Sequence, residues 1–175
     1  MTAAAAQSTP TPAHDSHTIS LFVHDRPGVL VRVALVFSRR GYNIESLVVS
    51  PSASGGFSRM TITCSGETAT LDQIIRQLAK LVDVVSAIDH TGDEAYETEI
   101  ALIKLEVEDE SRTQALQIAE HFNAKVVDYG ATSIVLRVFG ASDKLDALIS
   151  LLRPFGVAEL VRSGKILMTR GSLST

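Results

Sequence analysis

At 175 residues and a net charge of −4, the chain has room for one domain or two small ones and is too acidic for a nucleic-acid binder that works through a broad basic face. Hydrophobic residues make up 45% and charged residues 21%, an ordinary globular composition that excludes a disordered chain. The single cysteine, Cys64, excludes an intrachain disulfide framework, no apolar run approaches the roughly 20 residues of a membrane span, and Met1 to Ala6 lack the basic start of a signal peptide, so a cytoplasmic protein that does not span a membrane is expected.

Residues 1–16 are Ala, Ser, Thr and Pro with little to bury and are expected to form a disordered tail. The β-branched run over 18–23 predicts a strand. Pro27 then fits the first position of a helix carrying Leu30, Val33, Ala34 and Phe37, with Gly41 just past its end. A second strand follows over 44–49, a hairpin connection over 52–56, and a third strand over 57–64 with Met60, Ile62 and Cys64 on one face. The capping box Thr70-x-x-Gln73 opens a helix with the stripe Leu71, Ile74, Ile75, Leu78 and Val82, and a fourth strand runs over 84–88.

The same order repeats after a polar linker over 92–98. A strand over 100–107 leads to the box Ser111-x-x-Gln114 and the stripe Ala115, Ile118, Ala119 and Phe122. Val126 starts a strand, Gly130-Ala131-Thr132 turns it, and 134–139 returns. Leu145, Leu148, Ile149 and Leu152 mark a helix stopped near Pro154 and Gly156, and 160–168 closes the unit as one strand. The expected fold is α+β: two tandem ferredoxin-like βαββαβ modules over 17–91 and 99–171, each an antiparallel sheet with its helices on one face, and a short tail over 172–175. Such sheets have an open face and open edges, so at least a dimer is expected; the alternative is a self-contained monomer with a polar outer face.

Reactive residues are few. His14, His17, His24, His90 and His121 form no HxH or HExxH pattern, and Cys64 sits among apolar residues as a small core side chain. Ser163-Gly164-Lys165 resembles part of a phosphate loop but lacks the upstream glycine and the following helix, so it is assigned to a turn. No catalytic or metal site is expected, and intrinsic enzyme activity is not.

One segment does carry chemistry. Asp25-Arg26-Pro27-Gly28-Val29-Leu30 lies where the first strand hands over to the first helix. A helix N-terminus leaves backbone N–H groups unpaired and favours an anion such as a carboxylate. Gly28 lets a ligand approach the backbone, and Asp25 offers an acceptor for an ammonium group, which together describe an amino-acid site. An ordinary Asp-Pro-Gly turn that caps a helix fits the same hexapeptide. Asn43, just before the second strand, offers both a donor and an acceptor; alternatively it simply tolerates a turn after Gly41.

Asp25 to Leu30 followed by Gly41-Tyr42-Asn43-Ile44 resembles the ACT domain, a module that binds amino acids. Arg40 to Leu47, Ser58 to Ile62 and Lys80 to Val84, with Ala101 to Lys104, Lys144 to Ala147 and Arg162 to Gly164, are similar to the regulatory small subunit of acetolactate synthase, over about residues 17–171. That resemblance implies a non-catalytic partner of a catalytic large subunit, which carries thiamine diphosphate, magnesium and FAD and condenses 2-keto acids. It implies activation of that subunit and feedback inhibition by valine or another branched-chain amino acid. It further implies a homodimer through the ACT modules. The effector would lie between Asp25, Arg26, Pro27, Gly28, Val29 and Leu30 of one protomer and Asn43 and Ile44 of the other. Asp25 stands where many members have Asn, so it accepts from an ammonium but cannot donate to a carboxylate; Thr169-Arg170-Gly171 stands where Ser-Arg-Gly is usual. The other reading of an ACT protein, a free-standing amino-acid sensor or transcriptional regulator, calls for a DNA-reading helix or a basic arm, and neither is evident.

Overall fold

Apolar residues at every second position of β1 (Ser16–His24) and β3 (Phe57–Ser65) put Ile19, Leu21 and Val23 beside Met60, Ile62 and Cys64 on one side of a sheet. The computed structural model describes residues 16–171 and 175, without the side chains of Asp109 and Glu110. The remaining elements of the first module are α1 (Val29–Ser38), β2 (Ile44–Pro51), α2 (Thr68–Leu78) and β4 (Val84–Asp89). Its antiparallel sheet has the order β2-β3-β1-β4. Val33 and Phe37 of α1 and Leu71, Ile74 and Leu78 of α2 close over the apolar side. Each such buried side chain contributes about 1.5–3 kcal/mol.

The end of α1 follows the sequence expectation. Gly41 has a φ of 68°, its N–H donates to Ser38 O at 3.1 Å, and Tyr42 N–H donates to Phe37 O at 3.1 Å, a Schellman stop. Three other helix signals are read differently by the fold. Gly28, with φ 83° and ψ −6°, caps α1, so Pro27 precedes the helix rather than opening it. α2 starts at Thr68 behind Glu67, because Thr70 N–H already returns to Glu67 O at 3.0 Å; Val82 lies beyond the helix and is 92% exposed. Similarly, the second-module helix α3 (Asp109–His121) starts behind Glu108, two residues before the Ser111 box.

Cys64 is fully buried, and that burial, reinforced by the charges of Glu45 and Asp89, pushes its thiol up to about 11. Its reaction with a thiol reagent at pH 8 is expected only at the rate at which the protein unfolds, as read by timed alkylation with and without denaturant. The folded thiol holds its proton more tightly than the unfolded one. Its contribution to stability is therefore complete below about pH 9 and is lost as the pH climbs toward about 11.

The second module comprises β5 (Ala95–Glu106), α3, β6 (Lys125–Tyr129), β7 (Ser133–Gly140), α4 (Ser142–Leu152), β8 (Val157–Arg162) and β9 (Ile166–Thr169). Its sheet has the order β6-β7-β5-β8, with β9 also paired to β5. Ala101, Ile103, Leu105, Ile134, Leu136 and Val138 pack against Ala115, Ala119, Leu145, Leu148 and Leu152. Arg112, buried at the base of α3, donates to Val107 O at 3.3 Å, Gly130 O at 3.1 Å and Ala131 O, tying the β6–β7 turn to the helix.

Several boundaries move. The linker expected over 92–98 is strand from Ala95, because Ala95 to Thr98 pair with Thr169 to Ile166. The single strand expected over 160–168 is two, β8 and β9, with a break at Ser163-Gly164-Lys165. Ser16, expected in the tail, pairs with Ser65; residues 1–15 and 172–174 lie outside the described residues. Thr175, also expected in a tail, accepts a hydrogen bond from Arg59 through its carbonyl.

The two modules touch. Thr18, Ser20, Thr61 and Thr63 point away from α1 and α2, yet all four are buried. Gly164 abuts Ser46, Lys165 Nζ lies 3.4 Å from Thr18 Oγ1, and Leu167 is buried without joining either core. The outer face of the first sheet, expected to be open, is therefore partly covered by the chain's own second module.

Candidate functional site

Asp25 to Leu30 form a turn at the exit of β1. Val29 N–H donates to Arg26 O at 3.3 Å, Pro27 and Gly28 occupy the central positions, and the φ of 83° at Gly28 makes this a type II turn, whose third position needs a positive φ and so favours glycine. The turn is tethered by Asp25 N–H, which donates to Gly56 O at 2.9 Å in the β2–β3 hairpin. No side chain caps α1, and after Val29 the next helical amide with a partner is Arg32 N–H, which returns to Gly28 O at 3.1 Å. The amides of Leu30 and Val31 thus have no partner among the described residues, the donor pair an anion takes at a helix start.

These residues border a cleft of about 190 Å³. Val23, Val29, Leu30, Val49 and Met60 are its apolar lining, and His24, Asp25, Arg26 and Ser58, with the backbone of Gly28, its polar lining. Pro27 does not line it but sets the turn. Sequence reasoning missed Val49, Met60 and Ser58, which reach the cleft only through strand pairing. It also missed Arg32, whose Nη1 lies 3.0 Å from where a Cβ on Gly28 would stand and whose Nη2 pairs with Asp83 at 2.6 Å.

Asn43 and Ile44 are elsewhere. Ile44 pairs with Cys64, whereas Pro51, at the cleft end of β2, pairs with Ser58. Six register steps of about 3.4 Å separate them, so the two halves lie about 20 Å apart at opposite ends of one sheet. Tyr42 fixes the Asn43 end. Its hydroxyl donates to Glu67 O, and its ring packs so closely on Gly66 that any Cβ there would overlap it. Burial, with the nearby Cys64 and Glu67, raises the Tyr42 phenol above its ordinary value.

Two other polar constellations stand out. Ser20 Oγ lies 2.7 Å from His90 Nε2, and His90 Nδ1 lies 3.2 Å from Asp93 Oδ2. This is the order of a hydrolase triad, but Ser20 and His90 are both buried, and the relay fastens the end of β4 to β1. Between the modules, a cleft of about 430 Å³ is bordered by Glu45, Ser46, Glu99, Asp146, Arg162 and Lys165. Arg162 donates to Glu99 from Nε at 2.9 Å and Nη2 at 2.6 Å, and to Asp146 from Nη1 at 2.6 Å. Burial works against the Arg162 charge, but Glu99 and Asp146 outweigh it and raise its proton affinity. Among the described residues no group of three or more His, Cys, Asp or Glu could hold a metal ion, and no helix is long and apolar enough to cross a membrane.

The acetolactate synthase small subunit of Mycobacterium leprae (strain TN) is 42% identical over 156 residues, which cover 89% of this chain and 92% of that protein. The chain belongs to the acetolactate synthase small-subunit family. Residues 19–86 match the AHAS small subunit-like ACT domain, and residues 98–171 match the model described as small subunit of acetolactate synthase. The probable acetolactate synthase small subunit of Archaeoglobus fulgidus is 40% identical, covering 89% of this chain and 98% of that protein. The crystal structure of the acetolactate synthase small subunit from Thermotoga maritima superposes with a TM-score of 0.81 at 36% identity, covering 91% of this chain and 99% of that one. Membership accounts for both modules at once, since the second module carries a match of its own to this family rather than to ACT domains at large.

Proposed function

We propose that this chain is the regulatory subunit of an acetolactate synthase: it binds and activates a catalytic large subunit, confers feedback inhibition by valine or a related branched-chain amino acid, and has no catalytic activity of its own. Thiamine diphosphate, magnesium and FAD belong to the large subunit, and the pair works in the cytoplasm. The 17–91 module supplies the effector and dimer contacts, and the 99–171 module completes the subunit across the 92–98 junction.

The observation that carries the effector reading is the separation of the two half-sites on β2, which is an edge strand. Antiparallel pairing of β2 with its copy about a two-fold axis at Val48 would set the partner's Ile44 opposite Pro51. That arrangement brings the partner's Asn43 to the cleft walled by Val49. Leu30, Val31 and Leu35 of α1 and Val49 of β2 are large exposed apolar side chains, which such a dimer would cover. The effector carboxylate meets the Leu30 and Val31 amides, its ammonium meets Asp25, and its branched side chain enters the apolar wall. A hydrophobic pocket separates valine from its one-methylene neighbours by only ~1–3 kcal/mol, so related amino acids act at higher concentration.

Reconstitution with the catalytic subunit tests this. Added regulatory subunit is expected to raise acetolactate formation and to make it sensitive to valine, while the isolated chain forms none. A catalytic subunit neither bound nor stimulated by this chain overturns the proposal. Inhibition that valine, leucine and isoleucine all fail to produce overturns the effector assignment alone.

A further inference from the structure

We infer that Gly164, on a turn that Lys165 anchors to β1, is a positioning residue for β2, so that the second module sets the effector response by holding the strand that follows Asn43 and begins at Ile44. The inference rests on the effector reading above; its structural part, the hold on β2, does not.

Arg162 of β8 pairs with Ala101, and Ile166 of β9 pairs with Thr98, so three residues of one strand face two of the other. This is a bulge. Ser163 is pinned inside it: its N–H donates to Ile100 O at 2.9 Å, and its Oγ accepts from Ile100 N–H at 3.0 Å. Gly164 is thereby turned out with a φ of 83°. A Cβ on Gly164 would stand 2.8 Å from both Cβ and Oγ of Ser46 and 3.4 Å from Val48 Cγ2. The backbone of the second module therefore meets β2 at a distance that only glycine permits. Lys165 fastens the same turn to β1 and β5, with Nζ 3.4 Å from Thr18 Oγ1 and 2.9 Å from Glu97 Oε2, so it steadies the segment that carries Gly164 without touching β2 itself.

The contact falls at an adjustable place. The ladder between β2 and β3 shifts register between Ile44 and Ser46, so β2 has its own irregularity immediately before the residue that Gly164 touches. Ser46 Oγ and Thr63 Oγ1, 2.6 Å apart, tie the strand down at that point. A strand changes course at a bulge with little loss of ladder bonding. A small movement of Asn43 and Ile44 on an effector therefore changes the Ser46–Gly164 contact, and by reciprocity a change at Gly164 alters effector binding.

The test is a cycle of Gly164→Ala, Ser46→Gly and the double variant in the full chain, with Lys165→Met as a variant free of backbone strain. Three readouts apply: the half-inhibitory valine concentration of the reconstituted holoenzyme, its rate without valine, and amide exchange over residues 44–51. Gly164→Ala is expected to raise half-inhibitory valine at least about five-fold, to speed exchange in β2 and to leave the uninhibited rate unchanged. Ser46→Gly removes the atoms the new methyl meets, while the strain at residue 164 stays the same. The double variant should therefore return toward Ser46→Gly alone. Lys165→Met should move exchange and inhibition in the same direction by less. The inference is overturned if Gly164→Ala and Lys165→Met leave β2 exchange at the wild-type rate, or if Ser46→Gly relieves nothing. Should Gly164→Ala fail to fold, Lys165→Met decides alone. A wild-type holoenzyme indifferent to valine, leucine and isoleucine sinks the effector reading, and exchange over 44–51 then judges the hold on β2.

Discussion

Gly28→Asp is expected to abolish valine inhibition, raising the half-inhibitory concentration at least about 100-fold, while the holoenzyme stays assembled and works at its uninhibited rate. Gly28 holds a φ of 83° at the start of α1, next to the amides of Leu30 and Val31 and close to Arg32. An aspartate there brings a fixed carboxylate to the donors a bound amino acid needs. Juxtaposed like charges cost several kcal/mol, and each 1.4 kcal/mol is tenfold in affinity. Aspartate tolerates the left-handed conformation better than most residues, so the turn itself survives. Gly28→Ala separates the two effects: it adds about 1–2 kcal/mol of backbone strain but no charge, and its shift in inhibition should be about tenfold or less. Valine titration of both reconstituted enzymes checks the ordering. Wild-type sensitivity in Gly28→Asp would remove the turn from the effector site.

Arg162→Met should be the most destabilising of the substitutions considered, by about 3–5 kcal/mol. Glu99 is only 5% exposed, and Arg162 supplies two of its hydrogen bonds, the remaining one coming from Ser142. Without the guanidinium, a carboxylate stays buried and nearly unpaired. For a module of this size the unfolding midpoint should fall by roughly 15 °C or more. The double variant Glu99→Met with Arg162→Met removes both charges together and should lie within about 2 kcal/mol of wild type, since an apolar pair can replace a buried ion pair at little cost. Chemical denaturation of the single and double variants measures the difference. Equal losses would mean that packing by the Arg162 stem, and not a stranded charge, explains the effect.

Much of the fold is legible locally. The alternation of Ile19, Leu21 and Val23 and the spacing of Leu71, Ile74 and Leu78 fix a strand and a helix wherever the rest of the chain lies, and Gly41 ends α1 as its type predicts. The capping boxes mislead because helix starts are decided by the turn before them: Glu67 and Glu108 are already extended, and the chain has turned before Thr70 or Ser111 is reached. The run over 160–168 reads as one strand because its break is a bulge on Ile100 of β5, some sixty residues back, that turns Gly164 onto β2, and neither partner is visible in the run itself. Likewise, the turn at Asp25 to Leu30 announces itself through proline and glycine, whereas Val49 and Met60 reach the cleft only by strand pairing. The polar side of β1 and β3 looks solvent-facing in sequence, since threonine and serine do not betray a neighbour.

That same composition decides how the halves can move. Thr18, Ser20, Thr61 and Thr63 are covered without being greasy, and among the described residues Leu167 is the large apolar side chain buried outside both cores. Hydroxyls that lose their cover take up water again, and slight parting bares little hydrocarbon. Under the effector reading, a seam of this composition would let the halves shift slightly at small cost while each core stays packed, the mechanical property a reporter of occupancy requires.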